Sequence, residues 1–306
     1  MSQPDTSSFD AALAADNLAG LWTAKVPSNQ GEPPFLWRWP SVHAALLRAR
    51  DEIGIELAER RVVKLVNPHL AIKSSSRSVQ MNFQLVKPGE VAPAHRHTLA
   101  AIRFVIDGSG AYTNVEGERC DMAPGDFILT PAWTWHDHFN GADRPIIWLD
   151  GLDGPLIQAL NLALFEGYGD KSQVVRNTGG QYRVPWAAAA EVLQAIGAAD
   201  EHPADGAVYR YPDLPTLACE LVRPRMGSGA MHRRASVSMI HVVRGQGRTV
   251  LDGGDAIEWT KGDTFTVPAW RWHSHEAAVG GAGAIFFRMT DRPLLEALKL
   301  YREEIR

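Results

Sequence analysis

Short runs of branched and aromatic residues alternate with turn residues over most of the chain. Residues 101–106 (AIRFVI) and 238–243 (SMIHVV) are two such runs, and each is closely followed by a Gly-x-Gly turn. Residues 127–130 and 264–267 are shorter runs that begin after Gly-Asp and end at a proline. Many short strands between turn residues are typical of an all-β sandwich or barrel. The pattern therefore predicts a mainly β protein.

Helical patterns lie beside and between these β runs. They cover part of residues 41–60, residues 155–166 and 186–199, and a last helix from Leu294 to Tyr301 with Pro293 at its start. Residues 1–35 are polar and contain proline and glycine, so we expect a loosely ordered start.

The segment 95–140 recurs at 232–277 with a constant offset of 137 and no gap. The copies share two glycines, a Gly-Asp pair, a Pro-Ala-Trp run and a Trp-His pair, which indicates two copies of one domain. The expected boundaries are an arm with helices over 1–60, a first β domain over 61–152, a helical linker over 153–210, a second β domain over 211–290 and a C-terminal helix over 291–306.

Composition narrows the function classes. The 306 residues carry a net charge of −4 without a basic block, which argues against nucleic acid as a partner. No run approaches the roughly 18 apolar residues of a membrane span, and the first residues do not resemble a signal peptide. Cys120 and Cys219 are far apart in sequence, and we expect free thiols in a reducing cytoplasm.

Histidines distinguish the first copy chemically. His95 and His97 are two residues apart and therefore share one face of a strand, and His136 from a distant strand completes a set of three. Neutral imidazoles suit iron, zinc, copper or nickel. In the second copy Arg234 stands at the position of His97, so we expect this copy to be a scaffold or dimerisation domain. A weak second metal site there remains an alternative. His241 is one residue out of register with the counterpart of Arg103 and should face the other way.

The histidines lie in two motifs that resemble the signature motifs of the cupin superfamily: Gly89-x5-His95-x-His97-x10-Gly108 and Gly125-x5-Pro131-x-Trp133-x2-His136-x3-Asn140. Residues 91–98 (VAPAHRHT), 102–113 and 125–138, with Trp148-Leu-Asp150, resemble more specifically the gentisate 1,2-dioxygenase family, whose relatives act on salicylate, substituted salicylates and 1-hydroxy-2-naphthoate. The resemblance implies a bicupin: two tandem double-stranded β-helix (jelly-roll) barrels, with short helices at the N-terminus, between the domains and at the C-terminus.

The resemblance also implies an activity, that of a ring-cleaving dioxygenase in the catabolism of aromatic compounds. One Fe(II) per chain would be held by His95, His97 and His136 in the first cupin. A 2-hydroxybenzoate would chelate it, and O2 would cleave the ring between the carboxyl-bearing and hydroxyl-bearing carbons. Many cupins add a glutamate as a fourth ligand, but Ala101 stands at that place. Relatives of this kind suggest a homotetramer or homodimer.

Further site residues are expected around the metal. Arg103 lies eight residues after His95, so it should point into the barrel and pair with an anion such as the substrate carboxylate. Asp150 matches a family aspartate that faces the distal hydroxyl of the ring and could accept its proton. The other candidates are Gln84 as a substrate contact, Arg60 or Arg61 for the carboxylate, His138 beside the reaction, and Trp135 as a pocket wall.

The chain departs from the family pattern at Gln80 and Asn82, where relatives usually carry tryptophan and glycine. Both should share a face with Gln84 and make the pocket more polar. A ring with a nitro, halogen, amino or second hydroxyl group then fits as well as gentisate or better. Two alternatives remain open: a non-catalytic metal-binding bicupin that binds a small anion, and a cupin isomerase or hydrolase.

Overall fold

A computed structural model describes residues 6–22, 32–54, 57, 60–178, 180–278 and 283–306. Two predictions fall partly outside the described residues: the last part of the helical pattern expected over 41–60, and much of the loosely ordered start expected over 1–35. The chain divides into two units, Met1–Gly31 and Glu32–Arg306. The first unit contains helix α1 (Ser7–Ala15), which lies in the arm where helices were expected but within the stretch 1–35 expected to be loosely ordered.

The second unit contains four of the described helices. They are α2 (Trp39–Glu52), α3 (Gly154–Ala159), α4 (Trp186–Ala195) and α5 (Arg292–Ala297). Helices α3 and α5 are shorter than expected because Asn161 and Lys299 adopt left-handed conformations, with φ of 55° and 60°, just beyond their ends. Among the described residues, no helix combines the length and the apolar character needed to cross a membrane.

Strands make up most of the remaining structure, and they form two barrels. In chain order they are β1 (Leu36–Trp37), β2 (Arg61–Lys64), β3 (Gln80–Val86), β4 (Val91–His97), β5 (Ala101–Asp107), β6 (Ala111–Val115), β7 (Glu118–Met122), β8 (Phe127–Thr130), β9 (His136–Asn140), β10 (Ile146–Leu152), β11 (Phe165–Gly167), β12 (Asn177–Thr178), β13 (Arg183–Val184), β14 (Ala207–Arg210), β15 (Ala218–Arg223), β16 (Gly227–Ser228), β17 (His232–Arg234), β18 (Ser238–Arg244), β19 (Gln246–Leu251), β20 (Ala256–Thr260), β21 (Thr264–Val267), β22 (His273–Ala277), β23 (Ile285–Thr290) and β24 (Glu303–Ile305).

Each barrel consists of two sheets with a jelly-roll strand order. The first barrel has the sheets β13-β8-β5-β10-β3-β2 and β11-β4-β9-β6-β7-β12. The second has β1-β21-β18-β23-β15-β14 and β20-β19-β22-β17-β24. The predicted mainly β bicupin is therefore confirmed. The stretch expected as a helical linker also contributes strands, since β11, β12 and β13 join the first barrel and β14 joins the second.

The two barrels pack against each other through one sheet of each. Phe83, Phe104 and Phe127 of the first barrel share a core with Met239 and Phe287 of the second. Phe104 stacks on Phe287 with ring centroids 4.5 Å apart. Because alternate residues of a strand face opposite sides, the same strands line the barrel interior with their other residues. The inter-barrel core therefore fixes which side chains of β3, β5 and β10 point into the first barrel.

The segments before each barrel are exchanged between the barrels. Strand β1 and helix α2 precede the first barrel, yet β1 pairs with β21, and the Trp39 N–H donates to Asp263 over 2.9 Å. Strand β13 and helix α4 precede the second barrel, yet β13 pairs with β8, and the Trp186 N–H donates to Asp126 over 2.9 Å. We call each of these segments, β1 with α2 and β13 with α4, an exchanged arm. The aspartate of each repeated Gly-Asp pair thus anchors the exchanged arm that precedes the other barrel.

Candidate metal centre

Three histidines converge inside the first barrel. His95 and His97 lie on β4, and His136 begins β9, where it is paired with His95 across the ladder. Their ligand atoms all lie within 4.8 Å of one another. Within the described ranges, this is the one group of three or more histidine, cysteine or carboxylate side chains placed closely enough to hold a metal ion. No carboxylate belongs to it, in keeping with Ala101 at the place of the fourth ligand.

Backbone carbonyls determine where each imidazole keeps its proton. Nδ1 of His95 lies 2.7 Å from the Pro93 oxygen, and Nδ1 of His97 lies 2.8 Å from the Leu99 oxygen. Nδ1 of His136 lies 2.9 Å from the Thr134 oxygen. A carbonyl oxygen can only accept, so each Nδ1 carries the hydrogen and each Nε2 carries the lone pair; in His95 this lone pair faces Arg60 Nη2 at 3.2 Å. Three convergent Nε2 lone pairs are the donor set that a divalent transition metal requires.

The protonation states of the histidines agree with this arrangement. Burial, aided by the charge of Arg60, lowers the pKa of His95 to about 3. Burial, with Arg103 acting in the same direction, lowers the pKa of His97 to about 4. The pKa of His136 is also lowered, mainly by burial. All three imidazoles are therefore neutral at pH 7 and ready to act as ligands.

A row of polar side chains crosses the sheet that faces the histidines. The ladder places Asp150 on β10 between Arg103 on β5 and Asn82 on β3. Arg103 Nε lies 3.5 Å from Asp150 Oδ1, and the Arg103 Nη1 group donates to the hydroxyl of Thr130. The Trp148 indole N–H donates to Asp150 Oδ1 over 2.9 Å. Arg103 thus occupies the barrel interior, as expected, with a carboxylate partner.

Burial affects the two members of this ion pair in opposite directions. Desolvation lowers the pKa of Arg103 to about 10, which leaves the guanidinium charged at pH 7. Desolvation raises the pKa of Asp150, while the charges of Arg103 and Arg60 oppose the rise. A charged, buried guanidinium is well placed to attract an anionic ligand.

Two more of the expected residues face the same interior. Gln84 follows Asn82 by two residues on β3, and its Nε2 is buried without a hydrogen-bond partner among the described residues. Arg60 Nη2 lies 3.2 Å from His95 Nε2, so a second guanidinium stands beside the metal ligands.

Four expectations change in detail. Arg61 does not reach the site, because it lies opposite Leu85 in the ladder and its guanidinium is 2.7 Å from Glu90. Trp135 is not a pocket wall, because it stacks on Arg96, whose side chain alternates to the outer side of β4.

Gln80 is not free to contact a ligand, because its amide nitrogen donates to the Leu65 and Met81 carbonyl oxygens. His138 is fully enclosed behind the ligands, where its ring lies 6.0 Å from that of His136 and its Nδ1 is 2.8 Å from the Thr113 hydroxyl.

Sequence reasoning did not identify Trp148 and Thr130 as parts of the site. Trp148 holds Asp150, and Thr130 holds Arg103. Strand alternation from Asp150 places Trp148 on the interior face, so that signal was available. Thr130 depends on the pairing of β5 with β8, which the sequence does not specify.

The second barrel has a different set of residues at the equivalent places. Its ladder brings Ile240, Arg288 and Glu220 together where the first barrel has Arg103, Asp150 and Asn82. Arg234 and Arg288 both bind Asp205, with shortest contacts of 2.6 and 2.7 Å.

His241 faces away from this barrel, as predicted, and its ring lies 5.7 Å from that of Phe83 in the inter-barrel core. Within the described residues, the second barrel therefore holds ion pairs where the first holds three convergent histidines.

Known proteins match both the sequence and the fold. Residues 82–151 match the cupin domain family. The chain is 39% identical to the 5-aminosalicylate 1,2-dioxygenase of Comamonas, over 99% of this chain and 91% of that protein. It is 34% identical to gentisate 1,2-dioxygenase 1 of Aquipseudomonas alcaligenes, over 96% and 95%. The crystal structure of the salicylate 1,2-dioxygenase of Pseudoaminobacter salicylatoxidans with gentisate superposes with a TM-score of 0.88, at 27% identity, over 100% of this chain and 96% of that one.

Proposed function

The chain belongs to the gentisate and salicylate 1,2-dioxygenase family of ring-cleaving enzymes, and from this we propose that it is an iron(II) dioxygenase of 2-hydroxybenzoates with His95, His97 and His136 as the metal ligands. The convergence of three Nε2 lone pairs beside the Arg103–Asp150 pair carries this proposal. Family membership favours the dioxygenase over an anion-binding bicupin and over an isomerase or hydrolase.

The metal supplies one part of the chemistry, and the protein supplies the rest. Iron(II), when bound, offers open coordination positions to a chelating anion and the redox chemistry that O2 requires. Three neutral histidines leave the positive charge of the ion uncompensated, which favours an anionic ligand. The carboxylate and adjacent hydroxyl of a 2-hydroxybenzoate form such a ligand, and the bond between the two carbons that bear them is the one cleaved.

Positioning and charge come from the residues around the histidines. Arg60 and Arg103 bring two guanidinium groups toward the metal ligands, and both can neutralise the substrate carboxylate. Gln84 offers an unpaired amide N–H to a substrate oxygen. Asp150 accepts a proton or a hydrogen bond from the distal substituent of the ring. Because Arg103 and Asp150 are held by neighbours in a buried barrel, little reorganisation of this pair is needed when substrate binds.

The substrates of the relatives narrow the class of ring. Gentisate and 5-aminosalicylate are named for proteins that the chain matches over nearly its full length. We therefore propose that the substrate of this chain is gentisate, 5-aminosalicylate or another substituted salicylate.

Assembly and compartment form part of the same proposal. Leu160, Leu162, Leu164 and Phe165 are each more than half exposed near the mouth of the first barrel, which suits a homodimer or homotetramer. Both cysteines are free and buried, which suits the cytoplasm.

Metal content tests the ligand assignment separately from activity. After reconstitution with Fe(II) and removal of excess metal, wild-type protein should retain one iron per chain. His136→Ala and His97→Ala should each lose it, because two imidazoles bind a metal far more weakly than three. His273→Ala, the equivalent of His136→Ala in the second barrel, should retain it. Full iron retention in His136→Ala, or its loss in His273→Ala, would contradict the assignment.

A further inference from the structure

We infer that Gln80 fixes Asn82 as a hydrogen-bond donor beside the Asp150 carboxylate, so that the site selects rings whose distal substituent both donates and accepts a hydrogen bond. Hydroxyl and amino groups meet this condition, whereas halogen and nitro groups only accept. The inference rests on the proposed function and names the substrate class of the same site.

The orientation of the Gln80 amide is determined by backbone groups. The two hydrogens of its Nε2 are shared among the Met81 oxygen at 2.8 Å, the Ser75 hydroxyl at 3.0 Å, the Leu65 oxygen at 3.1 Å and a side-chain oxygen of Asn82. Its Oε1 accepts from the Ser75 N–H over 3.3 Å. Carbonyl oxygens cannot donate and backbone N–H groups cannot accept, so the reversed amide would lose all three bonds to backbone groups. Gln80 therefore presents a donor, and not an acceptor, to Asn82.

This donor in turn orients Asn82. Gln80 Nε2 lies 2.9 Å from Asn82 Oδ1. Because Asn82 must turn its oxygen toward Gln80, its Nδ2 points the other way, on the interior face of β3. Asn82 is 6% exposed, and no hydrogen bond from its Nδ2 is present within the described part of the chain. A donor is thus left over on the face that lines the site.

Asp150 supplies an acceptor next to this donor. It is directly opposite Asn82 in the ladder between β10 and β3. Its Oδ1 accepts from Trp148 and faces Arg103, whereas Oδ2 makes no hydrogen bond among the described residues. Residues opposite each other in an antiparallel pair have side chains about 5 Å apart, close enough to contact one substituent of a ring together.

A donor and an acceptor side by side discriminate between substituents. A hydroxyl or amino group can donate to Asp150 and accept from Asn82 at the same time. A chlorine or nitro group leaves the buried Asp150 oxygen facing another electron-rich atom, which costs the desolvation of an unpaired acceptor. Gln80 acts through Asn82 and is therefore a positioning residue, whereas Asn82 contacts the ring.

Binding and turnover of four rings test the inference on the full metal-loaded chain. Dissociation constants come from anaerobic calorimetric titrations with gentisate, 5-aminosalicylate, 5-chlorosalicylate and 5-nitrosalicylate, and kcat and KM come from oxygen uptake. Wild type should bind the first two at least roughly tenfold more tightly than the last two, the equivalent of one hydrogen bond.

Two variants and one matched control identify the residues responsible. Asn82→Ala should reduce this preference by roughly tenfold, because binding of the hydroxyl and amino rings weakens. Gln80→Leu should reduce it severalfold by raising KM for those rings, with kcat nearly unchanged. Gln173→Leu removes another buried glutamine of the same barrel, hydrogen-bonded to Asp137, and should leave the preference intact.

The possible failures are distinguishable. Equal binding of all four rings to wild type, or an unchanged preference in both variants, would overturn the inference while the proposed function stands. Absence of both binding and turnover for every ring would overturn the proposed function and the inference with it.

Discussion

At the residue scale, the chemistry of the site depends on protons held by very local contacts. Each ligand histidine hydrogen-bonds a carbonyl two residues away, at Pro93, Leu99 or Thr134. His273 of the second barrel does the same with Arg271. His232, in contrast, has both ring nitrogens buried without hydrogen-bond partners among the described residues, and its Nε2 lies 3.7 Å from Asp205 Oδ1. The second barrel thus keeps this tautomer control at His273 and lacks it at His232, and Arg234 stands where the first barrel has its third histidine.

The guanidinium of Arg103 gives a prediction at this scale. Lysine keeps the charge but lacks the planar fork that reaches Thr130 and Asp150 together. Arg103→Lys should therefore lower kcat/KM for gentisate by roughly 10- to 100-fold, measured by oxygen uptake. Arg119→Lys, an exposed change in the same barrel, is the control and should have little effect. If Arg103→Lys kept the kcat/KM of the wild type, the planar guanidinium would not be needed at this position and the prediction would be contradicted.

Sequence alone predicted that His95, His97 and His136 converge, because strand alternation fixes which residues share a face. It also placed Arg103 and Asp150 correctly inside the barrel. The prediction that Trp135 is a pocket wall was wrong, because this ring stacks on Arg96 at the outer side of the barrel, a contact that the sequence does not specify. Sequence alone also predicted that Gln80 contacts the substrate directly. This was wrong because the amide of Gln80 contacts the Leu65 and Met81 carbonyl oxygens, and the approach of these carbonyls depends on strand pairing that the sequence does not specify.

At the element scale, the exchanged arms explain the repeated Gly-Asp pairs. Gly125 and Gly262 have φ of +86° and +89° and lie under the rings of Trp186 and Trp39. A second repeated feature is the aspartate before α3 and α5. Asp153 accepts from the Ala100 N–H over 2.9 Å, and Asp291 accepts from the Val237 N–H over 3.1 Å. Both tie the end of a barrel to the start of its β5 or β18 strand.

A pair of glycine substitutions measures the arm contact. Gly125 and Gly89 both have positive φ, but a Cβ at Gly125 would lie 2.6 Å from the Trp186 ring, whereas one at Gly89 meets nothing within 4 Å. Gly89→Ala should lower the free energy of unfolding by about 1 kcal/mol through backbone strain alone. Gly125→Ala should lower it by about 2 kcal/mol more, because the clash also displaces the arm. Urea unfolding followed by tryptophan fluorescence measures both, and equal losses would contradict the role of the arm.

The repeat was recognised only where the two copies keep one offset. Asp153 and Asp291 are 138 apart, and Trp186 and Trp39 are 147 apart, so neither pair falls on the offset of 137. Insertions and deletions between strands are absorbed in loops and leave the barrel pairing intact. The equivalence of the two arms is therefore visible in the hydrogen bonds to Asp126 and Asp263, and not in a gapless alignment.

At the scale of the whole molecule, the two barrels share an architecture but enclose different buried groups. The first barrel has convergent neutral histidines, whereas the second has Asp205 clamped between Arg234 and Arg288. The cluster also includes Glu220, which contacts Arg288 over 2.6 Å. Buried ion pairs of this kind contribute little net stability but are costly to break singly, so this cluster fixes the geometry inside the second barrel.

Buried histidines make the stability of the metal-free protein dependent on pH. Burial lowers the pKa of His241 to about 4 from its ordinary value of 6.5. Between these values the unfolded chain binds a proton that the folded chain does not, so stability is lost as pH falls from 6.5 toward 4. The contribution is about 1.4 kcal/mol per pH unit for such a histidine. His241→Gln should therefore make the dependence shallower in urea unfolding across this range, while the exposed control His69→Gln should not; an unchanged slope in His241→Gln would contradict it.

Oxygen consumption tests the central claim most directly. Iron(II)-loaded protein, supplied with gentisate or 5-aminosalicylate, should consume one O2 per ring as the aromatic absorbance disappears, and His136→Ala should consume none above background. No uptake with any 2-hydroxybenzoate, or uptake that persists in His136→Ala, would contradict ring cleavage at the three-histidine centre of the first barrel.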